Sequence, residues 1–62
     1  MSVMKDQDID FLNFMRDCMN VDEVLTSEQM KIFGLISVSV FNRVFDRDID
    51  PEKGYEYYLE NG

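Results

Sequence analysis

Met30 to Phe45 reads MKIFGLISVSVFNRVF, and this stretch decides the fold. Its large apolar side chains are too evenly spread to share one face of a helix: Met30, Ile32, Phe33, Leu35, Ile36, Val38, Val40, Phe41, Val44 and Phe45. A helix that is apolar on every side must be covered on every side. A chain of 62 residues has little material for that. The stretch therefore predicts a central helix that also contacts a second copy or another protein.

The four residues Thr26 to Gln29 read TSEQ and form a capping box, with Thr26 as the cap and Gln29 reaching back. This motif predicts that the central helix, the second of the chain, runs from Ser27 to Phe45. Residues 36–40 (ISVSV) alternate with period two, so a strand paired with residues 55–59 is the alternative. The capping box and the length of the apolar run favour the helix.

Two shorter helices are predicted on either side of this segment. Residues 8–20 carry a broad apolar arc and a polar stripe at spacings of three and four, which is typical of an amphipathic helix. Asp50 followed by Pro51 is a typical helix start, with Asp50 as cap and Pro51 in the first turn. It predicts a third helix over residues 51–59.

The chain is short, and its sequence predicts neither a disulfide nor a structural metal, the usual cross-links of small domains. These features predict one small domain that associates with itself. Residues 1–62 are expected to form a compact all-α domain of three helices around the central second helix, with residues 1–5 as a loose N-terminus. Cys18 is the one cysteine and there is no histidine, so neither an internal disulfide nor a zinc site is expected. Oligomerisation is the remaining way to stabilise so small a domain, and we expect a homodimer. The residues predicted for self-association are Phe33, Ile36, Val40, Phe41 and Val44.

Charge and hydropathy narrow the classes of partner. The net charge is −7, which opposes direct contact with nucleic acid or an anionic membrane and favours a protein with a basic surface. The longest apolar-rich run, residues 32–41, is about half the roughly 20 residues that span a bilayer. A single cysteine and no signal peptide indicate the cytoplasm.

Acidic residues and tyrosines gather in the last third of the chain. Glu52, Glu56 and Glu60 are spaced by four, so on a helix they form one row at intervals of about 6 Å. That spacing is close to the spacing of phosphates along a nucleic-acid strand. Tyrosines beside charges are frequent at protein interfaces, and we expect Tyr55, Tyr58 and Leu59 to dock on the second helix while Tyr57 points elsewhere. The predicted partner-binding residues are Asp46, Asp48, Asp50, Glu52, Tyr55, Glu56, Tyr57, Tyr58 and Glu60.

The same acids do not predict a metal site. Asp46, Asp48 and Asp50 match positions 1, 3 and 5 of a calcium-binding EF-hand loop. Pro51 stands where the loop needs glycine, and Tyr57 where it needs glutamate. No histidine is present to act as a general base near neutral pH. We therefore expect no metal, no cofactor and no enzyme activity.

Three groups of residues form a pattern that is known from another small protein family. They are Asp10, Phe11, Leu12, Arg16, Cys18, Val21 and Asp22, then Leu25, Thr26, Met30 and Phe33, then Phe45, Asp46, Pro51, Tyr55 and Tyr57. In these segments the chain resembles the Hha/YmoA family of small enterobacterial proteins that bind the nucleoid protein H-NS. The chain lacks a helix that the family has before Leu25 and most of the family's basic residues. The resemblance therefore implies binding to a nucleoid protein rather than to DNA itself.

Together these features predict a non-enzymatic, small acidic protein that binds another protein and modulates it, as a regulator or inhibitor. Its size and composition are typical of proteins encoded by phages and mobile elements, with roles such as counter-defence or transcription modulation. Two alternatives stay open: a nucleic-acid mimic that blocks a DNA- or RNA-binding protein, and an Hha-like partner of a nucleoid protein.

Overall fold

Three α-helices make up the structure. The computed structural model describes residues 6–62, without the side chain of Gln7. The helices are α1 (Asp6–Met19), α2 (Ser27–Phe45) and α3 (Pro51–Asn61). Residues 36–40 lie inside α2, so the helix is right and the alternative strand is wrong. The all-α, three-helix prediction is confirmed, whereas the predicted loose terminus, residues 1–5, lies outside the described residues.

Local hydrogen bonds fix both ends of α2. The Gln29 amide donates to Thr26 Oγ1 at 3.1 Å, and the Thr26 amide donates to Gln29 Oε1 at 3.0 Å, which completes the capping box. At the other end Asp46 adopts the left-handed conformation (φ 52°, ψ 49°), and the Arg47 amide donates to the Asn42 carbonyl at 2.8 Å. This is the Schellman arrangement that ends helices. Both ends of α2 match the prediction.

The flanking helices differ slightly from their predicted ranges. The helix α1 begins two residues before Asp8 and ends one residue before Asn20. Asp50 caps α3 by accepting a hydrogen bond from the Glu52 amide at 3.0 Å, as predicted. The helix continues two residues beyond Leu59, and the Gly62 amide closes it by donating to the Tyr58 carbonyl.

The core is a cluster of aromatic rings between α1 and α2. The fully or nearly fully buried hydrophobic residues are Phe11, Met15, Val38 and Phe41. The ring of Phe41 meets Phe11 edge-on at 5.0 Å between centroids, meets Phe14 at 5.5 Å and stacks on Phe45 at 4.4 Å. Such aromatic pairs each add about 0.5–1.5 kcal/mol beyond their buried area. Four of the five phenylalanines thus hold α1 against α2.

Two glycines allow α3 to approach α2 closely. A Cβ atom at Gly34 would overlap the ring of Tyr55, and one at Gly54 would lie 3.0 Å from Val38 Cγ1. Gly34 therefore receives a ring from α3, and Gly54 receives a side chain from α2. Because the later α3 residue meets the earlier α2 residue, the two helices run antiparallel.

Candidate protein-interaction surface

The side of α2 that faces away from the core is apolar and uncovered. We call this surface the outer face. At 100° per residue its side chains span an arc of roughly 120°, and each exposes between 37% and 64% of its area. It consists of Ile32, Phe33, Ile36, Val40 and Val44, and one exposed charged residue, Arg43, falls within the same arc. Neither flanking helix covers this face, as expected for a segment that is apolar on every side.

The opposite side of α2 faces the core and carries Gly34, Ser37, Val38 and Phe41, all buried. Phe41 was predicted for self-association, but it is 0% exposed and lies in the core rather than on the surface. The cause is its angular position, which sets it across the helix from Ile36. The other four predicted self-association residues, Phe33, Ile36, Val40 and Val44, all belong to the outer face.

The three tyrosines of α3 turn toward the core. Tyr57 packs against Phe11 at 6.2 Å between ring centroids, and Tyr55 covers Gly34. Tyr58 also packs against the core, and all three rings are half-buried. Tyr57 therefore points toward α1, whereas Tyr55 points toward α2, which agrees with the expectation that Tyr57 takes a different direction. The expected docking of Leu59 is wrong, since that side chain is largely exposed.

The acidic residues of α3 lie on its other side. Glu52, Glu56 and Glu60 are exposed, and their spacing of four places them in one row, as predicted. The tyrosines face the core while this acidic row faces away, so the partner-binding residues predicted from α3 divide between two sides of one helix.

The loop acids that complete the predicted set are exposed, but two of them have structural roles. Asp46 ends α2 and Asp50 caps α3. The loop between the helices is held by Asn42, whose side-chain amide donates to the Ile49 carbonyl at 2.8 Å and accepts from the Ile49 amide at 3.0 Å. Asp48 is exposed and makes none of these bonds.

Two acidic grooves border the outer face. The first, about 480 Å³, lies between α2 and the start of α3; its lining includes Ile36, Asp50 and Glu52. The second, about 510 Å³, lies beside the linker between α1 and α2; its lining includes Phe33, Asp22 and Glu23. Each groove thus contains one side chain of the outer face and two carboxylates.

The acids of the second groove, Asp22 and Glu23, were absent from the predicted site, as was Ile32 of the outer face. Asp22 and Glu23 are ten or more residues from Phe33 along the chain. Only the turn between α1 and α2 brings them beside it, so no local pattern identifies them. Ile32 stands at the helical spacing of four from Ile36, and that spacing could have identified it.

The described residues contain neither of two other kinds of functional feature, a metal site or a membrane-spanning helix. Within residues 6–62 no group of three His, Cys, Asp or Glu side chains is placed to hold a metal ion. No helix in that range has both the length and the apolar character to cross a membrane. Cys18 is a half-buried free thiol. Among the described residues, the candidate interaction surface is the outer face with its acidic borders.

The resemblance to the Hha/YmoA family stays a prediction from sequence. Comparison with protein-family models, with curated proteins and with solved structures gave no match for this chain.

Proposed function

We propose that this protein is a non-enzymatic binding module that receives a basic amphipathic helix of another protein and thereby modulates that protein. The observation that carries the proposal is the outer face of α2, an uncovered apolar strip with carboxylates along its borders. Regulation or inhibition follows if the bound helix is one that the partner needs for its own activity.

The size of the apolar strip fits a helix. From Ile32 to Val44 it extends about 18 Å, at 1.5 Å per residue. A helix in a groove presents anchors at spacings of three, four and seven, and a ligand helix of three to four turns would match this length. Leaving Ile36 and Val44 in water stabilises nothing within the chain, and contiguous exposed apolar patches mark interaction sites.

The charges around the strip favour a basic ligand, because the four carboxylates of the two grooves outnumber the one cation within its arc, Arg43. Asp22 and Glu23 lie beside one end, and Asp50 and Glu52 beside Ile36. Lysines or arginines flanking the apolar side of a ligand helix would meet these carboxylates and speed association. A second copy of this chain would bring another net charge of −7 to the same place. Charge therefore favours a basic partner over a homodimer. Self-association stays a prediction, and light scattering measures it.

Binding of a model peptide tests the proposal. The probe is an amphipathic peptide of leucine and lysine, about 18 residues or five turns long, and its control replaces every lysine with glutamate. Isothermal titration calorimetry should give a micromolar Kd for the lysine peptide and no binding for the glutamate peptide. Ile36→Ser should weaken binding at least tenfold, because it removes a central anchor.

Ile9→Ser is the matched control variant. Ile9 is 42% exposed and lies on α1, outside the lining of both grooves, so this change should leave the Kd unaltered. Equal loss in the two variants, or none in Ile36→Ser, would contradict docking on α2. Light scattering on the free protein measures whether it is a monomer or a dimer. A stable dimer that the peptide cannot dissociate would show that a second copy covers the outer face.

The nucleic-acid mimic is the second candidate, favoured by the exposed row Glu52, Glu56 and Glu60. It predicts that changing this row to glutamine abolishes peptide binding while Ile36→Ser has no effect, and that affinity falls steeply with salt. Docking on the outer face predicts that Ile36→Ser weakens peptide binding more than the glutamine changes do, and that affinity depends only moderately on salt.

A further inference from the structure

A separate pocket lies on another side of the molecule, where the loop after α2 meets α1 and α3. Its volume is about 220 Å³. A cavity of about 150 Å³ is enough to bind benzene in other proteins, so this pocket has room for an aromatic ring with a small polar group. Phe11, Ile49 and Tyr57 supply its apolar lining, and the buried Gly54 backbone completes that side.

The pocket is held in shape by Asn42. The Asn42 side chain makes two hydrogen bonds to the backbone of Ile49, and the backbone carbonyl of Asn42 accepts a hydrogen bond from the Arg47 amide. Two lining residues are thus fixed by one asparagine on α2. Phe11, a third, is nearly fully buried in the core. A pocket held in this way loses little conformational entropy when it binds a ligand.

The charged lining has a positive excess, which is unusual for this molecule. Arg47 and Lys53 contribute two cations, and Asp8 is the one acid in the lining. The whole chain has thirteen acids against six bases, so two of its few cations meet at one apolar pocket. An apolar lining that also includes two cationic residues is suited to a ligand that joins an apolar group to an anion.

We propose that this pocket binds a carboxylate attached to an aromatic or branched apolar group, as in a small aromatic acid or the C-terminal residue of a protein. The apolar group contacts Phe11, Ile49 and Tyr57, while the carboxylate pairs with Arg47 and Lys53. This inference does not rest on helix binding by the outer face, which uses different residues.

Titration of ¹⁵N-labelled protein with N-acetyl-phenylalanine, followed by NMR, tests the site. The amides of Arg47, Ile49, Lys53 and Gly54 should shift in a saturable way with a Kd of about 1–10 mM, as expected for a ligand of this size. N-acetyl-phenylalaninamide keeps the ring but lacks the carboxylate, so it should bind about tenfold more weakly. Adding 3-phenylpropionate separates the two ligand sources: tighter binding than N-acetyl-phenylalanine favours a free aromatic acid, and weaker binding favours a C-terminal residue.

Two charge variants give opposite expectations. Lys53→Gln should weaken binding of N-acetyl-phenylalanine about two- to fivefold, as for one exposed ion pair. Asp8→Asn should tighten it, because the competing carboxylate is lost. Lys31→Gln, which removes a cation from α2, should change nothing. Equal affinity for the acid and the amide, shifts spread over the whole protein, or identical effects of Lys53→Gln and Lys31→Gln would each overturn the proposal.

Discussion

The two sides of α2 both carry large apolar side chains, but only one side is buried. On the core side, Phe41 and Val38 are fully buried beneath rings and side chains from α1 and α3. On the outer face, Ile36 and Val44 remain mostly in water. The difference arises because two short helices can cover only one side of a third.

Residue size distinguishes the two sides better than hydropathy does. The core side contains Gly34 and Ser37, and Gly34 allows the close approach of Tyr55. The outer face carries branched and aromatic residues at most of its positions. Small residues within an apolar helix thus indicate the side that receives its neighbours, and a bulky side without covering helices indicates a docking surface.

The largest expected effect separates two adjacent residues. Phe41→Ala should cost about 3–5 kcal/mol of unfolding free energy, because it removes the central ring of the core. A core this small supplies about that much stability in total, so the variant should be largely unfolded at 25 °C by circular dichroism.

Val40→Ala, one residue away on the outer face, is the control for Phe41→Ala. It should change stability by no more than about 0.5 kcal/mol. Similar unfolding midpoints in urea for the two variants would mean that the sides of α2 do not differ as described.

A second pair compares small residues on the two sides. Gly34→Ala should lower stability by about 1–2 kcal/mol, because the overlap of its Cβ with the Tyr55 ring outweighs the helix propensity that alanine adds. Ser39→Ala on the exposed side meets no such neighbour and should be neutral or stabilising by up to about 0.5 kcal/mol. Thermal unfolding followed at 222 nm measures both; a gain in stability for Gly34→Ala would show that α3 packs elsewhere.

The smallest effect is expected for a charge on the outer face. Val44→Lys should leave the unfolding free energy within about 0.5 kcal/mol of the original, because Val44 is 64% exposed and lies outside the core cluster. The same change should weaken binding of the lysine-rich model peptide by adding charge repulsion. A loss of several kcal/mol would mean that the outer face is covered, for example by a second copy.

Local signals made much of the fold predictable from sequence. The capping box at Thr26 fixes the start of α2 by bonds within four residues, and the pair Asp50–Pro51 does the same for α3. The apolar arc begins only at Ile9, so the sequence predicts α1 from residue 8, although residues 6 and 7 are helical as well. Helix caps and hydrophobic periodicity depend only on residues that are close together along the chain, so they can be identified from the sequence alone.

The candidate site was less predictable because it depends on which neighbours exist. Periodicity correctly places Glu52, Glu56 and Glu60 in one exposed row. The same reasoning assigned Phe41 to the surface, since a helix that is apolar all round does not reveal which side its neighbours cover. The grooves and the pocket join residues from separate segments, so their shape is absent from any linear pattern.

The small size of this three-helix fold has a consequence for how the protein responds to heat. The enthalpy of unfolding scales with chain length at about 0.7 kcal/mol per residue, which gives roughly 40 kcal/mol for 62 residues. A value this low spreads melting over roughly 20 °C, so unfolded molecules accumulate well below the midpoint. Any ligand that binds only the folded form raises that midpoint by mass action. Calorimetric upshift is therefore an unusually sensitive reporter for screening partners of this chain.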